Sequence, residues 1–535
     1  RLSAHMASDD LFGVLGTAVD APSLGVVRGL ESDGAPALVV VSKTSGAIVS
    51  IQREGAESAA ALLEADGTEV IKLGKREFLL PGFIDCHVHC SQWPYMGTGI
   101  DRPLMADDGF LQKYAFPSES SLNGETAGAV YRAAIDDMLR NGTTTALVFG
   151  SARLDASEAF VAAAIERGGP RSLLGKVNMD RHCPDHYVET TAQSLADTEA
   201  FIEKTKAANA ALKLPEGSPP IVAPVVTPRF LPTCTPELLR GLGALAEKHN
   251  CFIQSHLSES CDELQFSSSL FPDIESDAAA FAEYGLLRHP SLMAHCVHLQ
   301  PGEAELMMLH GCAMAHCPTS NFFFAKEALP VRQLVQLGVK VGLGTDVAGG
   351  YSPSMLVAIR HAVLASKTLQ FRRASKCVFE CGAGGASALS RAAKADADDA
   401  DASAEAAADG AAAPPPLRKK AKKQTRLPEA RKGFYIDFDP TADEATLRER
   451  HNLTHLEALH LATQAGADAL GMCESLGSLD VGKRFDAIVL SATAPSIRVY
   501  GGGVAEGASD VFHKLLTLGD DRNVKAVFVG GRRLV

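Results

Sequence analysis

Two histidines one residue apart, His87 and His89, stand in the run Leu-Leu-Pro-Gly-Phe-Ile-Asp-Cys-His-Val-His-Cys-Ser-Gln at residues 79–92. The run is apolar, carries Ile and Val, opens on a Pro-Gly turn and reads as a buried strand, on which side chains two apart share a face. His87 and His89 therefore point the same way. Two imidazoles held side by side by a stiff strand lose little freedom on binding a metal, and the metal they suit best is zinc. Cys86 and Cys90, their alternate neighbours, are expected to face away and not to be ligands. A His-x-His pair also occurs in ordinary strands, so the remaining ligands decide.

His256, in Gln-Ser-His-Leu-Ser-Glu, offers a third imidazole, and Asp346, in Gly-Leu-Gly-Thr-Asp, a carboxylate. Three histidines and one aspartate around a zinc ion leave a position for water, whose pKa the metal lowers toward ~7, giving hydroxide at neutral pH. Glu259, three residues past His256, can hold its carboxyl over such a site as a proton carrier, and His295 can orient the water. Taken singly each has a plainer reading: a core histidine, a surface acid, an aspartate capping a helix. Taken together they point to a metal-dependent hydrolase.

Something must bring these scattered residues together. From residue 79 to about 346, apolar strand-like runs alternate with helical segments, the strands falling at 80–89, 143–149, 172–179, 221–227, 251–256, 291–296, 312–317 and 339–346. Eight strand-helix alternations over ~250 residues predict a (β/α)8 barrel, whose active site lies at the carboxyl ends of its strands. His87 and His89 close the first strand, His256 the fifth, His295 the sixth and Asp346 the eighth. Residues 7–78 and 477–535 carry short strands between Gly turns, and are expected to meet in one β-sandwich beside a barrel spanning 79–476. The fold class is therefore α/β: a TIM-type barrel with a small β-sandwich formed by the N- and C-terminal segments.

Within the barrel, residues 383–432 run through Ala, Asp and Glu, then Pro414 to Pro416, then a basic stretch ending at Arg426. Too few large apolar side chains are present to offset the ordering entropy, so a flexible insertion is expected, its basic run read as solvated charge. The helical spacing of 453–470 would complete the barrel. Residues 1–5, ahead of Met6, read as an expression-vector remnant.

Composition narrows the class. Of 535 residues, 46% are hydrophobic and 21% charged, as in a globular protein with a sizeable core. The net charge of −13 argues against nucleic acid or anionic membrane as partners. Twelve cysteines without paired C-x-x-C spacing suit reduced, buried thiols, and with no membrane span or secretion signal legible the expected location is cytoplasmic.

Pro-Gly-Phe-Ile-Asp-Cys-His-Val-His, Gln-Ser-His-Leu-Ser-Glu, Met-Ala-His-Cys and Gly-Leu-Gly-Thr-Asp resemble the amidohydrolase superfamily. More narrowly, the chain resembles the guanine deaminases through Ser91-Gln92, Val226 to Phe230 (Val-Thr-Pro-Arg-Phe), Ala315 to Pro318, Asp346 to Tyr351 and Leu518 to Asn523. The resemblance implies one zinc per chain held by His87, His89, His256 and Asp346. It also implies proton transfer to a ring nitrogen by Glu259, a general-base role for Asp346, and a hold on water and substrate by His295. Gln92, Arg229 and Phe230, with His256, are implied as purine-binding residues. The implied reaction is attack of a zinc-activated hydroxide on C2 of guanine while Glu259 protonates N3, giving xanthine and ammonia, in a homodimeric enzyme of purine catabolism.

An amide and a guanidinium fork suit the carbonyl and ring nitrogen of guanine, and a benzyl ring its flat face. Adenine has no carbonyl for Arg229, and residues 221–230 lack the lysine a two-metal hydrolase needs. The chain departs from the family after Ile100-Asp101, where Arg-Pro-Leu-Met replaces a usual Leu-Glu-Trp segment, and at Phe322 to Phe324, which are bulkier than expected. Both departures bear on the loop over the pocket and on substrate range rather than on reaction class.

Overall fold

The computed structural model describes residues 10–31, 34–374, 443–499 and 506–535. Seven strands come first: β1 (Leu11–Ala18), β2 (Asp20–Ser23), β3 (Val26–Arg28), β4 (Ala37–Ser42), β5 (Ile48–Gln52), β6 (Glu69–Lys72) and β7 (Glu77–Pro81). The next eight are β8 (Phe83–His89), β9 (Thr143–Phe149), β10 (Arg171–Asn178), β11 (Val222–Pro228), β12 (Phe252–Leu257), β13 (Ser291–His295), β14 (Ala313–His316) and β15 (Val341–Leu343). Three more follow: β16 (Ala487–Ser491), β17 (Val524–Val529) and β18 (Arg532–Arg533).

β8 to β15 form one parallel sheet in sequence order. Alternate side chains divide its two faces. Ala146 and Val148 of β9 share a core with Ile135, Met138 and Phe160 of the flanking helices Ala127–Arg140 and Leu154–Arg167. Leu147, Leu173, Val225, Phe252, Leu292 and Ala313, one from each of six strands, make a second core inside the barrel. The seam between first and last strands closes at its upper end, where Asp346 N–H donates to the His87 carbonyl and His89 N–H to that of Val347, each at 2.8 Å. Glycines allow that approach: a Cβ on Gly344 would stand 2.9 Å from His87 Cβ, and one on Gly342 2.3 Å from Cys86 Sγ.

The Pro-Gly turn proves to be a border between sheets: Leu80 and Pro81 end β7, and β8 starts at Phe83. Within β8 the register slips, for Asp85 pairs with Ala146 but Val88 with Val148, one residue too many on β8. This bulge breaks simple alternation. Cys86, expected to face away, instead packs in the interior layer with Leu147, Ala315 and Cys317, beneath the two histidines, while Cys90 joins the outer core.

The terminal segments meet in one mixed sheet, ordered β18-β17-β16-β7-β1-β4-β5 with β6 also on β1. β16 runs antiparallel to β7, Val489 opposite Leu79. The sheet wraps around Phe12, Val39, Val41, Phe485 and Phe528, while the alternate residues Leu38 and Val40 pack on a helix, Ala56–Ala65, that the β-like reading of this segment misses. The stretch 453–470 is two helices, His455–Leu461 and Gln464–Ala469. The expected insertion at 383–432 and the remnant at 1–5 lie outside the described residues. No described helix is long and apolar enough to cross a membrane.

Candidate metal and substrate site

The residues singled out for their chemistry converge on one mouth of the barrel. β8 delivers His87 and His89, β12 delivers His256, β13 ends on His295, and the loops after β12 and β15 bring Glu259 and Asp346. His87 Nε2 lies 3.1 Å and His89 Nε2 3.5 Å from Asp346 Oδ1, and the Nε2 atoms of His89 and His256 are 3.1 Å apart. Four tetrahedral donors ~2.1 Å from a zinc ion stand ~3.4 Å from one another, so this spacing is that of ligands to a common ion. The donor atoms of His87, His89 and His256 lie within 4.8 Å of one another, as do those of Glu259, His295 and Asp346, and those of His87, His295 and Cys317. His295 and Asp346 reach the site from left-handed backbone, at φ 69° and 51°. Such conformations are costly for non-glycine residues and persist where the surrounding structure imposes them.

The electrostatics suit a cation. Burial holds the imidazoles of His87, His89 and His256 well below the usual histidine range, leaving them neutral with ring lone pairs to offer. His87 Nδ1 and Nε2 and His295 Nε2 are buried without a hydrogen-bond partner. Two other ring nitrogens are held: His256 Nδ1 by the Arg229 carbonyl at 2.6 Å, His295 Nδ1 by Asn321 Oδ1 at 3.0 Å. Fixing one ring nitrogen in this way orients the other toward a metal. Burial, reinforced by the charge of Asp346, raises Glu259 well above the ordinary glutamate range, and burial likewise raises Asp346. Glu259 Oε1 is 3.7 Å from His295 Nε2. Neutral imidazoles beside two buried carboxylates fit a divalent cation, which would compensate the carboxylate charge and engage the lone pairs.

Beside this donor set lie Gln92, Arg229 and Phe230, all lining the same pocket. Gln92 sits on the 3-10 turn Cys90–Tyr95 that follows β8. Arg229 and Phe230 follow β11, whose extended backbone carries straight on past the strand end. A fully buried carboxylate, Glu119, stands behind them in the short helix Phe116–Ser121. Arg229 Nη1 meets Glu119 Oε2 at 2.6 Å, and Gln92 Nε2 donates to Glu119 Oε1 at 2.8 Å. Burial would lower the pKa of the guanidinium, but Glu119 outweighs it and the net shift is upward.

The sequence gives little sign of Glu119, a single acid after Phe116 and Pro117 with no spacing that ties it to Arg229. Phe149 is equally silent in the sequence; its ring centroid lies 5.0, 4.7 and 4.6 Å from those of His87, His89 and His256. The departures from the family pattern do reach the pocket. Leu104, Phe110 and Leu111, from the altered loop, line it together with Phe324, whose ring packs 4.8 Å from that of Phe110. Phe322 and Phe323 point outward, each 38% exposed, so only one of the three bulky residues narrows the site.

Residues 78–389 and 428–534 match the amidohydrolase family. The chain is 34% identical to the guanine deaminase of Dictyostelium discoideum over 468 residues, 87% of this chain and 84% of that one. A solved guanine deaminase from C. acetobutylicum, with guanine bound in its active site, superposes with a TM-score of 0.73 at 27% identity, covering 98% of this chain and 100% of that one. An adenosine deaminase from Xanthomonas campestris, solved with bound zinc, shares the fold at 20% identity and a TM-score of 0.65, over 98% of this chain and 92% of that one.

Proposed function

The chain belongs to the amidohydrolase family and, within it, to the guanine deaminases; from that premise we propose that it hydrolyses guanine to xanthine and ammonia, as a step of purine catabolism. His87, His89, His256 and Asp346 hold one zinc ion per chain, which when bound supplies Lewis-acid activation of water at neutral pH. Arg229 donates to the guanine carbonyl, Gln92 reads the adjoining polar edge and Phe230 covers a face of the ring. Asp346 accepts the proton of the attacking water, and His295 orients that water toward C2. Glu259, whose buried carboxyl favours the protonated form, delivers a proton to N3 as the new C–O bond forms. Protonation of the amino group then lets the C2–N bond break, releasing ammonia and leaving xanthine.

The observation that supports this reading best is the placing of Arg229, Gln92 and Phe230 in the same pocket as the His/Asp donor set. A site built to donate to a buried carbonyl rejects a ring that lacks one, because its donors would be left unpaired. The reading carries a cytoplasmic location and a homodimer with it, to be tested by cell fractionation and light scattering.

Ammonia release from guanine, adenine and a pterin, measured on protein of known zinc content, tests the proposal. Guanine alone should turn over, and Glu259→Gln should lower kcat by about 10²- to 10⁴-fold with zinc content unchanged. Zinc near one per chain with activity on a different ring would overturn the substrate.

A further inference from the structure

Glu119 does not line the pocket, yet it touches the two polar side chains that read the substrate. Its side chain is fully buried, and three groups donate to it: Arg229 Nη1 and the Tyr187 hydroxyl to Oε2, at 2.6 and 3.1 Å, and Gln92 Nε2 to Oε1, at 2.8 Å. Its own backbone carbonyl accepts the Ser151 hydroxyl at 3.3 Å, and the guanidinium it pairs with lies 4.9 Å from the centre of the Phe116 ring.

Two consequences follow from chemistry alone. A carboxylate is an acceptor only, so it fixes which end of the Gln92 amide faces it. The NH₂ must point at Glu119, which leaves Oε1 toward the Ala348 N–H, 3.3 Å away, and a flipped amide would set oxygen against oxygen. The second consequence concerns charge. A buried guanidinium without a counter-charge is a strong anion site, whereas one already paired offers directed N–H groups and little net field.

We propose that Glu119 is a positioning and specificity-determining residue, which fixes the donor directions of Gln92 and Arg229 and cancels the charge of Arg229, so that the pocket takes a neutral purine and discriminates against an anionic one. The inference rests on the reading of guanine as substrate. It also bears on the product, because xanthine carries a second carbonyl in place of the amino group, ionises more readily than guanine, and is poorly held as its anion by a neutralised Arg229.

The test compares the zinc-loaded full chain with Glu119→Gln and Tyr187→Phe. Guanine kinetics are measured, and calorimetric binding of xanthine is followed at neutral pH and at a pH where xanthine is an anion. Loss of the charged partner should raise KM for guanine about tenfold in Glu119→Gln, with a smaller change in kcat, and tighten binding of the xanthine anion by a similar factor. Tyr187→Phe, which removes one donor to the same carboxylate, should raise KM by about two- to fivefold and leave anion binding weak, because the charge pair survives. Unchanged KM and unchanged anion affinity in Glu119→Gln would overturn the assignment, as would losses that merely track the folded fraction by circular dichroism. If Glu119→Gln does not fold, an unaltered KM in Tyr187→Phe overturns it. A wild type that fails to turn over guanine overturns the substrate reading and this assignment with it; turnover with unaltered selectivity in the variants overturns the assignment alone.

Discussion

A guanidinium withdrawn from water keeps its charge, and that charge is costly unless an acceptor is placed against it; at Arg229 that acceptor is Glu119. The pair makes Arg229 more than a cation, because a planar fork with one nitrogen engaged has its other donors aimed. Lysine keeps the charge and can still reach an acid, but it has no fork. Arg229→Lys is therefore expected to lower kcat/KM for guanine by about 10- to 200-fold, the worth of one or two hydrogen bonds to a charged donor, while zinc content stays the same. Steady-state kinetics beside metal analysis check this; retained kcat/KM would show that the fork does not read the substrate.

Among the elements, the loop and helices after β12 show how the chain holds Glu259. The Glu259 N–H donates to Glu263 Oε2 at 3.0 Å from the helix Cys261–Leu270, and Glu263 in turn meets Asp277 at the start of the helix Asp277–Glu283. Burial first, and the charge of Glu303 second, push Asp277 from 3.8 up to about 7. The sign follows from linkage: with the folded value above the unfolded one, the stabilisation is complete below about pH 3.8 and is lost as pH rises through about 7. Asn cannot ionise and nearly matches the shape of protonated Asp. Asp277→Asn should therefore raise Tm relative to wild type above pH 7, by an amount that shrinks toward pH 4; thermal unfolding across that range is the check, and a pH-independent difference would contradict it.

On the scale of the molecule, barrel and terminal sheet are joined by charges as well as by apolar packing. Arg171, at the start of β10, pairs with Asp486, just before β16, at 2.7 Å, and both side chains are almost wholly buried. Asp486 Oδ1 also accepts the Gly530 N–H at 2.6 Å, and its carbonyl that of Gly82 at 2.9 Å, at the border between sheet and barrel. Asp486→Ala leaves a buried guanidinium unpaired, which costs about 3–5 kcal/mol. Because Arg171 opens its strand while the site lies at the other strand ends, urea unfolding should report that loss with kcat per folded molecule retained.

Much of this molecule is legible in the chain because the signals concerned are local. Apolar strand-like runs alternating with helical segments set eight barrel strands within a few positions, and a His-x-His on a strand, an Asp after Gly-x-Gly-Thr and a Glu three past a His need only their neighbours to be noticed. Where local rules compete the reading slips. The bulge in β8 turns Cys86 inward, the helix Ala56–Ala65 interrupts a β-like segment, and 453–470 divides in two. What only the tertiary structure decides is pairing across long separations. Glu119 and Arg229 are 110 positions apart, so nothing in the spacing of either joins them. The left-handed backbone at His295 and Asp346 is likewise not fixed locally: histidine and aspartate enter that region more readily than most side chains but still rarely, and it is the closed barrel around them that holds them there. The sequence by itself determines which residue types stand at the strand ends, because periodicity is written along the chain; burial and charge pairing depend on distance through space, which exists only once the barrel has closed.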